Sequence, residues 1–299
     1  MDSFVSMIDL GFLAALLRIA TPLLLATMGE LYAERSGVLN LGIEGTMLLG
    51  AMTGFTAAYF TGNLWLGVVA ALATGALVGL LMALLTVVLG VSQHVSGIGT
   101  TLLTTGLAFF FYRMIFGQPA LPPNVVAFQP ILFGQTALTY IALASVPVTW
   151  LALHRTRWGL NLRTVGENPR AADTAGVSVW SMRIQALVIS GALMGLGGAF
   201  LTLSQFNAFT FGVISGRGWV CIALVVFGQW MPWRCAGGVL LFAMVEALQL
   251  RLQAHNVLHI PYEIFLMLPF VMTILAMALV SRNAHAPAAL LIPFRKEER

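Results

Sequence analysis

Few residues in this 299-residue chain have the means to do chemistry, and they stand in apolar surroundings. In ERSGVLNLGIEGTMLLGA, residues 34–51, Asn40 precedes Glu44 by four positions, so a helix there carries both on one face. A second polar group is GRGW, with Arg217 and Trp219, preceded by Gln205, Phe206 and Asn207. Aromatic faces beside amide donors and acceptors suit a solute ring that stacks and hydrogen-bonds without carrying charge. An aromatic belt at a membrane interface accounts equally well for Phe206 and Phe209. A carboxylate at membrane depth costs on the order of 2.5–3.5 kcal/mol at a helix centre, so Glu44 needs a partner or a purpose. Three roles stay open for it: a hydrogen bond to a neighbouring helix or to the backbone of a broken one, a place along a solute path, and a proton relay. Arg217 reads as half of a structural pair with Glu44 or Glu246.

Other constellations are weaker. His255, His259 and Glu263 recur at i, i+4 and i+8, the register of metal ligands on a helix, but Pro261 interrupts the last step and no further ligand is near. An interfacial histidine pair is expected there, and no metal site. Cys221 and Cys235 lie in or beside apolar segments, where thiols pack as small hydrophobes, so no disulfide is expected. No set of His, Asp, Glu or Ser recurs at one membrane face with catalytic spacing, which argues against an enzyme. No GxxxxGK[ST] loop occurs, so any ATP used must be bound by another chain.

The elements that position these residues are membrane helices. The chain is 59% hydrophobic and 9% charged, with a mean hydropathy of +0.91. Those values define a polytopic membrane protein, all-α, with residues 1–299 forming a single transmembrane domain. Spans are expected near 10–30, 38–60, 64–90, 95–116, 136–153, 184–204, 213–229, 234–250 and 262–281. Several carry Gly, Thr or Pro, so the count is eight to ten, with some segments broken or re-entrant. LNLGIEGTMLLGAMTG at 39–54 and VISGRGWVCIALVVFG at 213–228 each set a polar, Gly-containing turn at the head of an apolar run, a weak inverted internal repeat of the kind that borders transport paths. Gly191 and Gly195 in GALMGLGGAF form a small-xxx-small pair for close helix contact. The Pro-rich loop at 117–135 reads as an extended external connection.

Of the fifteen basic residues, nine cluster in two places, Arg155, Arg157, Arg163, Arg170 and Arg183, then Arg282, Arg295, Lys296 and Arg299. Flanking apolar spans, they mark the loop at 154–183 and the tail at 282–299 as cytoplasmic. The basicity reports topology, not a nucleic-acid partner. The amino terminus has no basic n-region before its first apolar run, so a cleaved signal is not expected. Within the loop, Asn168 suits a helix cap and Pro169 the first helical position, which predicts a short helix outside the bilayer.

Three stretches, SGVLNLGIEGTMLLGA, VGENPRAADTAGV and GRGWVCIALVVFGQWMP, with LQLRLQ after them and PFRKEER at the close, make this chain similar over nearly its full length to the permease subunits of bacterial ABC importers, in the branch serving nucleosides and simple sugars, related to ribose and branched-chain amino acid permeases. The resemblance implies a coupling helix at about 167–176, with Glu167, Asn168, Pro169, Arg170 and Ala171 at the matching positions. It also implies a partner ATP-binding subunit that holds ATP and magnesium, a second and longer permease chain, an extracytoplasmic substrate-binding lipoprotein, and residence in the bacterial inner membrane with a cytoplasmic C-terminus. Nucleosides are the favoured solute and ribose-type sugars the alternative; from another class stands an ion-coupled secondary transporter with Glu44 as its protonation site. Gln229, where that branch often has Arg, loosens the solute assignment.

Overall fold

The computed structural model describes residues 9–119, 121–255 and 285–294, with Met267, Val271, Ile274 and Ala278. Among them the chain forms ten α-helices and no named strand. These are α1 (Leu10–Arg35), α2 (Ile43–Thr61), α3 (Leu64–Ala83), α4 (Gln93–Phe116), α5 (Ala137–Arg155), α6 (Arg157–Glu167), α7 (Pro169–Thr174), α8 (Val179–Phe200), α9 (Arg217–Phe227) and α10 (Pro232–His255). α3 and α8 each close with a π-helical turn, Leu84–Val88 and Leu201–Gln205. Six of the elements, α1, α3, α4, α5, α8 and α10, are long and apolar enough to cross a membrane. The expected all-α polytopic bundle is what forms.

Two expected spans differ in kind from the rest. The one at 38–60 is helical only from Ile43, because Gly37 turns the chain at φ 87° and residues 36–42 run as turns and irregular backbone. The one at 213–229 is helical only over the 11 residues Arg217–Phe227, after Ser215 and Gly216 turn with φ 52° and 81°. Eleven residues cover about 16 Å, roughly half of a hydrocarbon core of about 30 Å. The expected span at 262–281 falls almost wholly outside the described residues, as do His259 and Glu263.

α8 is the axis of the bundle and is buried over most of its length. Its small residues explain how three helices reach it. A Cβ on Gly191 would lie 2.1 Å from the Gly75 carbonyl oxygen, and one on Gly75 would lie 2.1 Å from that of Gly191. Without a strong hydrophobic force between helices in lipid, such backbone contact supplies the packing energy. α2 and α1 follow the same rule: Cβ atoms at Gly198 and Gly29 would meet the carbonyls of Met47 at 1.9 Å and Ser190 at 2.8 Å.

The bundle has two distinct ends. At one, the loop after α4 runs extended and is stitched to the segment after α8, with Val125 N–H donating to Asn207 O at 2.9 Å and Phe128 N–H to Leu203 O at 3.1 Å. At the other lie the end of α1, the short helices α6 and α7, and the C-terminal segment 285–294, where Ala289 N–H donates to Gly166 O at 2.9 Å. One member of the basic cluster departs from the surface reading: Arg183 is buried, 1% exposed, in the first turns of α8. Its guanidinium serves backbone carbonyls inside the protein, so its charge does not belong to the loop surface.

Candidate functional site at the meeting of two broken segments

Backbone that leaves the helix inside a membrane must find every partner within the protein. For residues 36–42 the partners come from three helices. Leu39 N–H donates to Gln93 Oε1 of α4 at 2.8 Å and Asn40 N–H to Glu30 Oε1 of α1 at 3.0 Å. Leu41 O accepts from Thr101 Oγ1 at 2.8 Å, Gly37 O from Gln93 Nε2 at 3.3 Å, and Ser36 O from Arg183 Nε at 3.2 Å. Asn40 is outside the helix, so it shares no helix face with Glu44; its Oδ1 accepts from Gly42 N–H at 3.0 Å, and the side chain is buried.

Glu44 lies in the first turn of α2 and reaches across to the start of α9. Its Oε1 accepts from Gly216 N–H and its Oε2 from Gly218 N–H, each at 2.8 Å. Helix starts carry unpaired N–H groups and the positive end of the helix dipole. Here the starts of two helices face one another, and one carboxylate neutralises both while capping the second. Hydrogen bonds to a charged acceptor contribute about 1.5–3 kcal/mol each, enough to offset the cost of holding the carboxylate there. Gly218 is required by this approach, since a Cβ on it would lie 2.7 Å from the backbone of Glu44.

Beside the junction, between segment 206–217 and α10, opens a cavity of about 540 Å³. Phe206, Thr210, Arg217, Phe242, Glu246 and Gln249 are among its lining. Arg217 Nη2 pairs with Glu246 Oε1 at 2.9 Å, and Nη1 donates to Ile214 O at 3.2 Å, so Arg217 takes the second of its two expected partners. The ion pair leaves the wall polar but without net charge from these two groups. Phe206 and Phe209 diverge: Phe206 is 48% exposed into the cavity, whereas Phe209 is 1% exposed and packs on Tyr112 at 4.9 Å. The Gln205 Oε1 and Asn207 Oδ1 atoms are buried with no hydrogen-bond partner. Trp219, 44% exposed, is not in the lining.

Sequence reasoning passed over two acids. Glu30 and Glu34, four apart on α1, are 0% and 1% exposed. Glu30 holds Asn40 N–H, and Glu34 accepts from the indole Nε1 of Trp230. Trp230, with Gln229 in the left-handed region at φ 55° and 51°, also receives Arg35 on its carbonyl at 2.9 and 2.7 Å. GELYAER thus clasps both broken elements, the turn that ends α9 and the segment after α1. Two acids at helix spacing in an apolar run were the available signal.

The second expected group lies at the other end. Asn168 caps α7, its Oδ1 accepting from Ala171 N–H at 3.0 Å, and Pro169 takes the first position. The helix spans Pro169–Thr174, shorter than the expected 167–176, because Glu167 closes α6 and Gly176 turns the chain at φ 84°. Glu167 faces the C-terminal segment, its Oε2 accepting from Ala288 N–H at 3.3 Å, whereas Arg170 and Ala171 are exposed.

A membrane bundle whose centre is two facing half-segments beside a lined cavity is built as a transport protein. The chain belongs to the family described as the branched-chain amino acid transport system / permease component, whose model matches residues 12–277. It is 43% identical to a putative glucose ABC transporter permease protein, TsgC13, of Haloferax volcanii, over 82% of this chain and 78% of that one. It is 34% identical to the guanosine ABC transporter permease protein NupQ of Bacillus subtilis, over 94% and 95% of the two chains. The nucleoside ABC transporter permease protein NupC of Lactococcus lactis is 33% identical over 92% and 94%. No solved structure matches the chain. The protein is a multi-pass ABC permease.

Proposed function

We propose that this permease forms one half of the translocation path of an ATP-driven nucleoside importer, with the cavity beside Arg217 as part of that path. The observation that carries the reading is the cavity wall: Phe206 and Phe242 line it beside a neutralised Arg217–Glu246 pair and Gln249. Such a wall suits an uncharged ring that both stacks and hydrogen-bonds. Two relatives named for nucleoside or guanosine transport align with more than nine tenths of both chains. The glucose-named relative, more identical over a shorter span, supports a second reading, simple-sugar import.

In this reading α7 is the coupling helix. It rests in a cleft of a separate ATP-binding subunit, which holds ATP and magnesium, and the end carrying α6, α7 and the C-terminal segment faces the cytoplasm. A second permease chain completes the path and an extracytoplasmic lipoprotein delivers solute at the end carrying the 117–135 loop. Alternating access follows when closure of the ATPase pair is passed through α7 to the bundle. Glu44 accepts from two backbone N–H groups, an anchoring contact that supports the importer reading over the ion-coupled alternative, in which it would be the proton site.

The test is uptake by the assembled transporter in proteoliposomes. Labelled guanosine is expected to enter only with internal ATP and to be competed by other nucleosides, not by glucose or ribose. Competition by the sugars instead would establish the second reading. Uptake by this chain alone, driven by a proton gradient and indifferent to ATP, would sink the importer reading. Arg170→Ala, at an exposed tip position of α7, is expected to lower uptake about tenfold while the ATPase stays active, since a rim charge acts through partner contact and not through the fold.

A further inference from the structure

The end of the bundle that carries α7 contains a contact set that neither the cavity nor α7 itself explains. α7 has six residues and one buried side chain, Ala172, so it holds poorly to the bundle by itself. Ala172 packs with Val165 of α6 and Val179 of α8, and against them lies Phe294 of the C-terminal segment. The same segment gives Ala289 N–H to Gly166 O and Ala288 N–H to Glu167. Gly166 in turn presses on the end of α1, where a Cβ would lie 2.1 Å from the Arg35 carbonyl oxygen.

Arg183 closes the set. It donates through Nη1 to Ile292 O and through Nε to Ser36 O, each at 3.2 Å, and thereby ties the C-terminal segment to the first residue of broken segment 36–42. A Cβ on Gly37 would lie 3.0 Å from its Nη2 and 3.1 Å from Ala289 O, so the three strands of chain meet without spare room. Among the described residues no carboxylate pairs with this buried guanidinium. A buried charge is costly, and an apolar side chain of similar size would pack there at less expense. What only the guanidinium supplies is a set of directional donors reaching two carbonyls at once.

We propose that residues 285–294 are a joint, with Arg183 as its positioning residue, through which α7 and broken segment 36–42 move as one body. The part concerning α7 rests on its reading as the coupling helix. Displacement of α7 passes through Phe294 and Ala289 to Arg183, then to Ser36 and Gly37, and from there along six residues to Glu44, whose carboxylate holds the start of α9 beside the cavity. The C-terminal segment is a mechanical part of the transporter, not a trailing end.

Amide hydrogen exchange of the full chain in lipid nanodiscs tests the joint without its partners. Ala289→Pro removes the N–H given to Gly166, and Arg183→Met removes the donors while keeping bulk. Each is expected to speed exchange about tenfold at Leu39, Asn40 and Gly42, with α3 and the middle of α8 unchanged, as follows from losing a backbone bond in the first variant and charge-assisted bonds in the second. Arg183→Lys, which keeps the charge and one donor group, restores part of the protection. Native exchange at 36–42 in both Ala289→Pro and Arg183→Met overturns the joint, and so does equal acceleration throughout α3 and α8, which is ordinary destabilisation. In the assembled transporter Ala289→Pro is expected to raise the ATP consumed per solute several-fold with assembly intact; an unchanged ratio also overturns the joint. Failure of the native chain to bind any ATPase sinks the coupling reading instead, and the exchange experiment still judges the joint.

Discussion

Segments 36–42 and 206–216 pose one physical problem, non-helical backbone inside a membrane bundle, and solve it differently. The first is sheathed: Glu30, Gln93, Thr101 and Arg183 come from three helices to meet its backbone, and Ser36, Val38 and Asn40 are buried. The second leans on extended chain at 124–128, passes through left-handed residues at Asn207, Ser215 and Gly216, and exposes Phe206 and Phe211 at 48% and 46%. The difference separates a frame from a wall. Polar satisfaction by buried side chains makes a segment rigid, while open surface carrying exposed aromatic side chains leaves a segment able to meet a solute.

That contrast can be broken at its hinge first. Gly218→Leu drives a side chain into the Glu44 backbone; overpacking costs about 1–3 kcal/mol or more, and here it also parts two helix starts, so little folded protein is expected. Loss of folded chain is read by labelling Cys221 and Cys235, which are buried and become reactive on unfolding. Next, Glu44→Ala frees two N–H groups and is expected to lower stability by about 3 kcal/mol, with Glu44→Gln, which keeps one acceptor, losing about half of that. A sharper comparison sets one frame residue against Gln205, the residue that leads into the wall segment. Glu30→Ala strips Asn40 of its acceptor inside the core and is expected to cost about 1–3 kcal/mol, whereas Gln205→Ala removes an oxygen already without a partner and stays within about 0.5 kcal/mol. Equal losses in the two would erase the distinction. Smallest in stability is Phe206→Ala, again within about 0.5 kcal/mol, with its effect appearing as a several-fold rise in the solute concentration needed for half-maximal uptake.

Much of this was legible in the chain. Long apolar runs can satisfy their own backbone only as helices, so six of the nine expected spans followed from length and composition. The cap at Asn168 and Pro169 was readable because an N-cap is a local event, made by a side chain and a backbone three residues away. Glu44 was conspicuous as a charge in an apolar run, but its partners, Gly216 and Gly218, stand 172 and 174 positions away. The helical reading of Asn40 failed because Gly37 turns the chain and the helix begins only after Gly42, and periodicity presupposes a helix. Glu30 and Glu34 were passed over because an acid near the end of a span reads as an interfacial charge until the packing buries it.

The amino-acid sequence by itself determined that this is a bundle of membrane helices and which short helix is capped beside it, since each depends on neighbouring residues and on the solvent the chain must enter. Only the tertiary structure decided that two broken segments meet through one carboxylate, that Arg217 turns to Glu246, that Phe206 and Phe209 part ways, and that Arg183 leaves the surface to bind the C-terminal segment. Those outcomes rest on contacts between residues far apart in the chain, where the burial of one polar group is decided by which distant donor or acceptor arrives to satisfy it.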